Sequence, residues 1–439
     1  MGIGLLFLLS PGAVKAQGAS GSGTLASNVP VLASGALSPV VPGEEELPPN
    51  VFQGSLTISS HYDDNVFPTV PPRTWNVTYS ILPQVSFEET RQRVEWKFAY
   101  TPGVEISQRA FYRNVFSQRF IGNLVWLVSP HGSLSAEQYY SVSTDPFGDS
   151  TGISPGPTIS PNETIYLPNV RQTWSLSHVL YSYRSSAQTT MGIGGSYLLQ
   201  GFDSIPQSGV TTPLIHAQVA SGEAYIAHNI SARNQLGFQY GLQVLKFEQT
   251  DARTTTHSFL VFDQINFSSH SMLNVYAGPE YSLTASEVAL NLGFVLITIP
   301  VNANQWSGAG GVIYNWTGER LAASIDVSRR ISDGAGLIGA VELTSGKARF
   351  AWQFTRNWSL TSTIAGAEDQ LLVAASSGSG DLLTYSGQVG VRRQLGRDFA
   401  LNWFYERINQ TGNIDGFGVG NHDMVGASLR YSFLKPVGR

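Results

Sequence analysis

Residues 233–247 alternate in side-chain character without a break. Leu236, Phe238, Tyr240, Leu242 and Val244 fall in one register, and Gln235, Gly237, Gln239, Gly241 and Gln243 in the other. Successive side chains of a strand point to opposite faces, so this stretch reads as a strand in a sheet that is apolar on one side and polar on the other. The pattern recurs from about residue 50 almost to the last residue. Residues 75–87 set Trp75, Val77, Tyr79, Ile81, Val85 and Phe87 against Asn76, Thr78, Ser80, Gln84 and Ser86. Residues 321–331 set Leu321, Ala323, Ile325, Val327 and Ile331 against Ser324, Asp326, Ser328 and Arg330, and residues 347–355 alternate in the same way. Three segments fit less well: 119–128 and 171–183 carry apolar residues in both registers, and 215–228 calls for a bulge.

Composition narrows what such a sheet can be. Charged residues make up 13% of the chain, about half the usual 25% of soluble domains. No run approaches the roughly 20 apolar residues of a membrane-crossing helix. In lipid every backbone polar group needs an internal partner, so a sheet with an apolar outer face has to close on itself. The expectation is an all-β, closed, antiparallel, up-and-down transmembrane barrel. Its 45 glycines and many small polar residues suit a watery lumen. A soluble sandwich or propeller would bury the apolar stripes in a core, and would not account for the loop lengths described next. A net charge of -5 argues against a nucleic-acid partner, and the absence of cysteine excludes disulfide and thiol chemistry.

Turn signals divide residues 51–433 into about eighteen segments, within the range of such barrels. Their connections alternate between short (near 89–91, 129–131, 184–186, 230–232, 269, 317–318, 356 and 395–397) and long (61–73, 105–117, 145–170, 202–212, 285–304, 332–344, 368–380 and 409–422). Outer-membrane barrels have short periplasmic turns and long extracellular loops, so both ends of an even-stranded chain are expected at the periplasmic side. Residues 1–16 read as a secretory signal peptide that lacks its basic start and is therefore N-terminally truncated. The Gly-, Ser- and Pro-rich 17–50 stretch reads as a flexible periplasmic leader, and 434–439 as a short C-terminal tail.

The opening strand runs into His61-Tyr62-Asp63-Asp64-Asn65-Val66-Phe67, a Pro-rich loop, the stretch Trp75 to Pro83 and then Tyr100-Thr101-Pro102-Gly103. Together with the closing Val425 to Phe433, which alternates and ends in an aromatic, this resembles the β-barrel porins of Gram-negative bacteria. That group includes barrels found with exopolysaccharide export and sorting systems. The resemblance implies an outer-membrane barrel with no catalytic residues to carry over. Its expected partners are outer-membrane lipid, lipopolysaccharide, and polysaccharide or export-system proteins.

Other chemistry is thinly represented. Asp63, Asp64 and Asn65 offer oxygen ligands but lack the spacing of a calcium loop, and the eight histidines are scattered without paired zinc spacing. No cofactor or metal is expected, and nothing local marks a hydrolase. Extending the alternation turns Arg93, Glu95, Lys97, Asp326, Arg330, Lys347, Arg349, Arg392, Glu406 and Arg430 inward. A basic lining favours anions, because the low-dielectric wall focuses its field into the pore. The functional expectation is a channel for passive or glycan-linked passage of small anionic solutes, against a non-conducting accessory barrel of an exopolysaccharide system or an outer-membrane hydrolase. Trp96, Trp174, Trp316, Trp358 and Phe399 are expected in the aromatic belt near the short turns. Trp306, Phe147, Phe202 and Phe417 are expected in long loops.

Overall fold

A computed structural model describes residues 50–66, 73–109, 115–143, 170–204, 214–248, 252–291, 296–334, 337, 339–372, 380–412 and 420–436. The segment read as signal peptide and the leader up to residue 49, together with Phe147 and Phe417, lie outside them. The strands are β1 (Val51–Asp63), β2 (Asn76–Thr90), β3 (Val94–Ser107), β4 (Val115–Leu127), β5 (Gly132–Ser143), β6 (Val170–Arg184), β7 (Thr189–Ser204), β8 (Ala217–Asn229) and β9 (Asn234–Phe247). They continue as β10 (Ala252–Ser268), β11 (Ser271–Asn291), β12 (Leu296–Thr317), β13 (Leu321–Ser332), β14 (Val341–Thr355), β15 (Trp358–Leu371), β16 (Asp381–Leu395), β17 (Phe399–Gly412) and β18 (Gly420–Pro436).

Each strand pairs antiparallel with the next, and β18 returns to β1 from Val51↔Pro436 to Asp63↔Met424. The result is a closed barrel of eighteen strands with no free edge around its waist. The strands are staggered. Following hydrogen-bonded partners from Val51 at the foot of β1 leads through Glu88, Lys97, Asn123, Glu137, His178, Ser196, Ser221, Gln243, Thr256 and Ser282 to Gln305, far up β12. That climb is the tilt a closed sheet requires. After Val51 every residue on the path is polar and faces inward.

The outer face carries the apolar register. Ile58, Ile81, Val261, Ile325, Ile364 and Val425 are exposed on it and form a band of the kind that meets lipid. Near the short turns, Phe87, Trp96 and Phe98 stack together, as do Phe354, Trp358 and Trp403. Amphipathic rings settle at the level of the headgroups, so these mark that rim. The barrel therefore crosses a membrane. Replacing Ile325, midway along β13, by Arg places a charge in hydrocarbon and is expected to cost about 2–4 kcal/mol. Gln388→Arg, on the inner face opposite Glu406, should change stability little. Urea unfolding of the barrel in lipid vesicles distinguishes the two, and equal tolerance would show that the faces are assigned wrongly.

Several details differ from the sequence reading. The stretch 285–304, expected as a loop, is mostly strand: β11 and β12 pair without a break from Ser271↔Trp316 to Asn291↔Leu296. No bulge interrupts β8, which keeps one register with both neighbours, because Val219, Tyr225 and Ala227 are apolar residues turned inward. β18 runs to Pro436, past the boundary expected for the tail. Trp174 lies on the inner face of β6, far from the short turns, buried with Tyr139 and Leu176. Trp306 lies on β12 rather than in a loop; it is exposed on the outer face and tilted against Tyr281.

Candidate solute pathway

The inner wall from β7 to β12 is smoothed by a repeated device. Gly192, Gly237 and Gly311 stand directly opposite Tyr225, Phe262 and Tyr276 on the neighbouring strand. In each pair the ring lies so close over the glycine that a Cβ there would overlap it. Aromatic rings covering cross-strand glycines restore the contact that glycine lacks. Phe262 and Tyr276 also face each other across β10 and β11. With Leu180, Ala227, Leu260, Ala309 and Ile313 they form a buried cluster. Gly194 faces inward beside Glu223 and Leu180, whereas Gly195 faces outward.

Charge is unevenly spread around the inner wall. On β13 and β14 Asp326 stands directly opposite Lys347, with Arg349 one step lower and Arg330 higher. Arg330, Arg349 and Lys347 all act electrostatically on Asp326. Arg392 sits lower on β16, opposite Asn402, and Arg430 on β18 reaches to 3.4 Å from the Gln84 Oε1 of β2. These cations step down the wall from one rim toward the other. Glu406, on β17, faces the same lumen opposite Gln388 and Met424.

Near the short-turn rim, Lys97 Nζ lies 3.0 Å from Glu88 and 3.2 Å from Glu95. This is a local cluster with more acid than base. Arg93 is exposed in the turn between β2 and β3, outside the strands.

Further inward acids were not singled out from the sequence: Glu137, Glu223 and Glu280 on β5, β8 and β11. The parity of Glu137 is legible from outward neighbours such as Leu134 and Ala136, whereas inward Val219 and Tyr225 blur that of Glu223 on β8. Glu223 accepts a hydrogen bond from Gln239 Nε2 at 2.9 Å and meets His178 Nε2 at 3.2 Å; Glu137 stands opposite His178. The lumen thus has an acceptor-rich sector on β5–β11 and, on β13–β18, a sector where Arg330, Lys347, Arg349, Arg392 and Arg430 outnumber the inward acids Asp326, Asp369 and Glu406. Asp63 and Asp64, considered above as cation ligands, instead close the barrel. Asp63 Oδ1 accepts from the Asn65 amide and meets His422 Nδ1, each at 2.9 Å. Asp64 accepts from the Asp423 amide and pairs with Arg73.

At the long-loop rim the top of the β13–β14 pair leaves the wall. The two strands stay paired to Ser332↔Val341, but β13 pairs with β12 only from Thr317↔Ala322 to Gly310↔Arg329. Above that point Ile331 is buried among Ala217, Val219, Leu245 and Phe247 of β8 and β9, and its amide donates to the Glu280 carboxylate at 3.2 Å. Leu337, Val341 and Leu343 are buried against Phe202 of β7 on one side and Ala367 and Leu382 of β15 and β16 on the other. Apolar packing therefore spans the lumen near this rim. Arg329 and Glu342 pair where the strands bend.

No protein-family profile matches the chain, and no curated protein matches it. Solved structures that resemble it include OccK2 of Pseudomonas aeruginosa in complex with glucuronate, at 10% identity over 87% of this chain and 98% of that one, with a TM-score of 0.41. OccK3 of the same organism is 12% identical over 87% and 96% of the two chains, with a TM-score of 0.39. A BenF-like porin from Pseudomonas fluorescens Pf-5 is 9% identical over 87% and 99%, with a TM-score of 0.38.

Proposed function

We propose that this barrel resides in the outer membrane of a Gram-negative cell and serves as a porin-like channel for small anionic solutes. The observation that carries the reading is the descending series Arg330, Lys347, Arg349, Arg392 and Arg430 on the inner wall of a closed, mostly polar barrel. In a lumen walled by low-dielectric protein and lipid, such a series holds an anion at successive levels without trapping it at one. Lipopolysaccharide and lipid are the neighbours expected of its outer face. The test is single-channel recording of purified protein in a planar bilayer, with selectivity read from the reversal potential in a salt gradient. Discrete steps with anion preference support the channel. Cation preference would remove the role given to the basic series.

A second reading is favoured by one observation, the apolar packing across the lumen at the long-loop rim. On that reading the protein is a non-conducting accessory barrel, for instance of an exopolysaccharide export system. Folded protein that never conducts would favour it.

A further inference from the structure

Among the described residues, β12 from Leu296 to Ala309 pairs with β11 on one side and has no β13 partner on the other. An unpaired strand edge is a row of backbone donors and acceptors in search of a strand. The matching strand is close by. β13 continues beyond its last pair with β12 into Arg330, Ile331 and Ser332, which pair with β14 alone. The amide of Ile331 is satisfied by the Glu280 side chain rather than by a strand.

Continuing the register from Gly310↔Arg329 sets Ala309 opposite Arg330, Gly308 opposite Ile331 and Ser307 opposite Ser332. Parity would then turn Ile331 outward beside Val327 and leave Arg330 and Ser332 inward. The wall has room for this: at Gly308, which faces outward, an added Cβ would meet nothing. Beyond Ser332, Gly334 has φ +67°, a left-handed conformation that glycine adopts without strain. It is a suitable pivot for a strand that leaves the sheet.

We propose that the free edge of β12 is the docking strip for residues 330–332 of this same chain. The top of β13–β14 alternates between that strip and the lumen core, opening and closing the pathway. Docking gains ladder hydrogen bonds and returns the strand pair to the wall, where Val341 and Leu343, opposite Ser332 and Arg330, line the lumen instead of crossing it. Release buries them again and returns the Ile331 amide to Glu280. The open arm presupposes the channel function proposed above, but the docking does not, and the two are read separately.

The chain contains no cysteine, so disulfides report the two positions without background. Directly opposed strand residues have the Cα spacing a disulfide needs. The primary variant is Ser307→Cys/Ser332→Cys, with Gly308→Cys/Ile331→Cys as a second pair on the other face. A Leu337→Cys/Leu382→Cys pair marks the tucked position. Full-length protein in vesicles is oxidised, checked for heat-modifiable folding, and recorded with and without reductant.

The expected result is cross-linking of both the strip pair and the tucked pair. Current should rise severalfold in the first and fall in the second, and reductant should reverse both changes. Failure of both strip pairs to cross-link in folded barrels whose 337–382 pair does cross-link would overturn the proposal. So would cross-linking of the strip that leaves an otherwise conducting channel unchanged. Dimers of the single Ser307→Cys variant in place of the internal bond would assign the strip to a second copy and overturn it too. Cross-linked strips in barrels that never conduct would support the docking while refuting the channel function.

Discussion

Phe262→Ala is expected to lower the stability of the folded barrel by about 3–5 kcal/mol, the range for truncating a buried aromatic side chain. The ring is 1% exposed although it points into the lumen, because it lies on the backbone of Gly237 with Leu260 and Tyr276 around it. Gly237→Val should be at least as damaging: the new side chain occupies the space of the ring, and the ring has nowhere else to go in a packed cluster. The two changes share one site, so they should not add. The double variant Gly237→Val/Phe262→Ala is expected to be more stable than Gly237→Val alone, since it relieves the overlap with the ring and leaves only the contact with the Ile226 carbonyl. Urea unfolding in vesicles, followed by loss of the heat-modifiable form, measures all three. Additive losses would mean that ring and glycine act independently and that the paired arrangement has no energetic role.

Lys347→Glu/Arg349→Glu is expected to shift the anion-to-cation permeability ratio about tenfold or more toward cations, because wall charges set potentials of several kT inside a confined lumen. Both residues lie on the inner register of β14, beside Asp326 and Ser324, so reversal leaves Asp326 facing two further carboxylates. The reversal potential in a salt gradient reports the shift. The same reversal at Lys97, which already sits between Glu88 and Glu95, should move selectivity much less. A shift at Lys97 as large as that at β14 would mean that the constriction lies at the short-turn rim rather than in the basic sector.

Much of the barrel was readable in the chain, and the reason is local. Strand parity is a property of neighbouring residues, so Ile58, Val261 and Ile325 announce the outer face wherever the strand happens to sit. All eighteen strands occur where alternation and turn residues place them, but β11 and β12 run well into the stretch 285–304 expected as a loop. The misreadings on β6 and β8 share one cause. Trp174, Leu176 and Leu180 on β6, and Val219 and Tyr225 on β8, are apolar residues on the inner wall, buried by one another and by partners on other strands. Sequence cannot tell an aromatic residue that meets lipid from one that covers a glycine opposite it. The hairpin ends of β11 and β12 have a different cause: from Val288 to Val301 apolar residues fall in both registers around Pro300, so no two-residue period marks them, although Asn291 and Leu296 pair.

By itself, the sequence determined that the chain forms a one-sided sheet, that such a sheet has to close, and which register carries the basic residues. Those follow from a two-residue period and from the cost of unpaired backbone in lipid. Only the tertiary structure decided which glycine lies under which ring, that the acids of β5–β11 stand apart from the cations of β13–β18, and that the top of β13 leaves β12 for the lumen. These depend on register around a closed ring and on contacts between strands far apart in the chain. No local period encodes them.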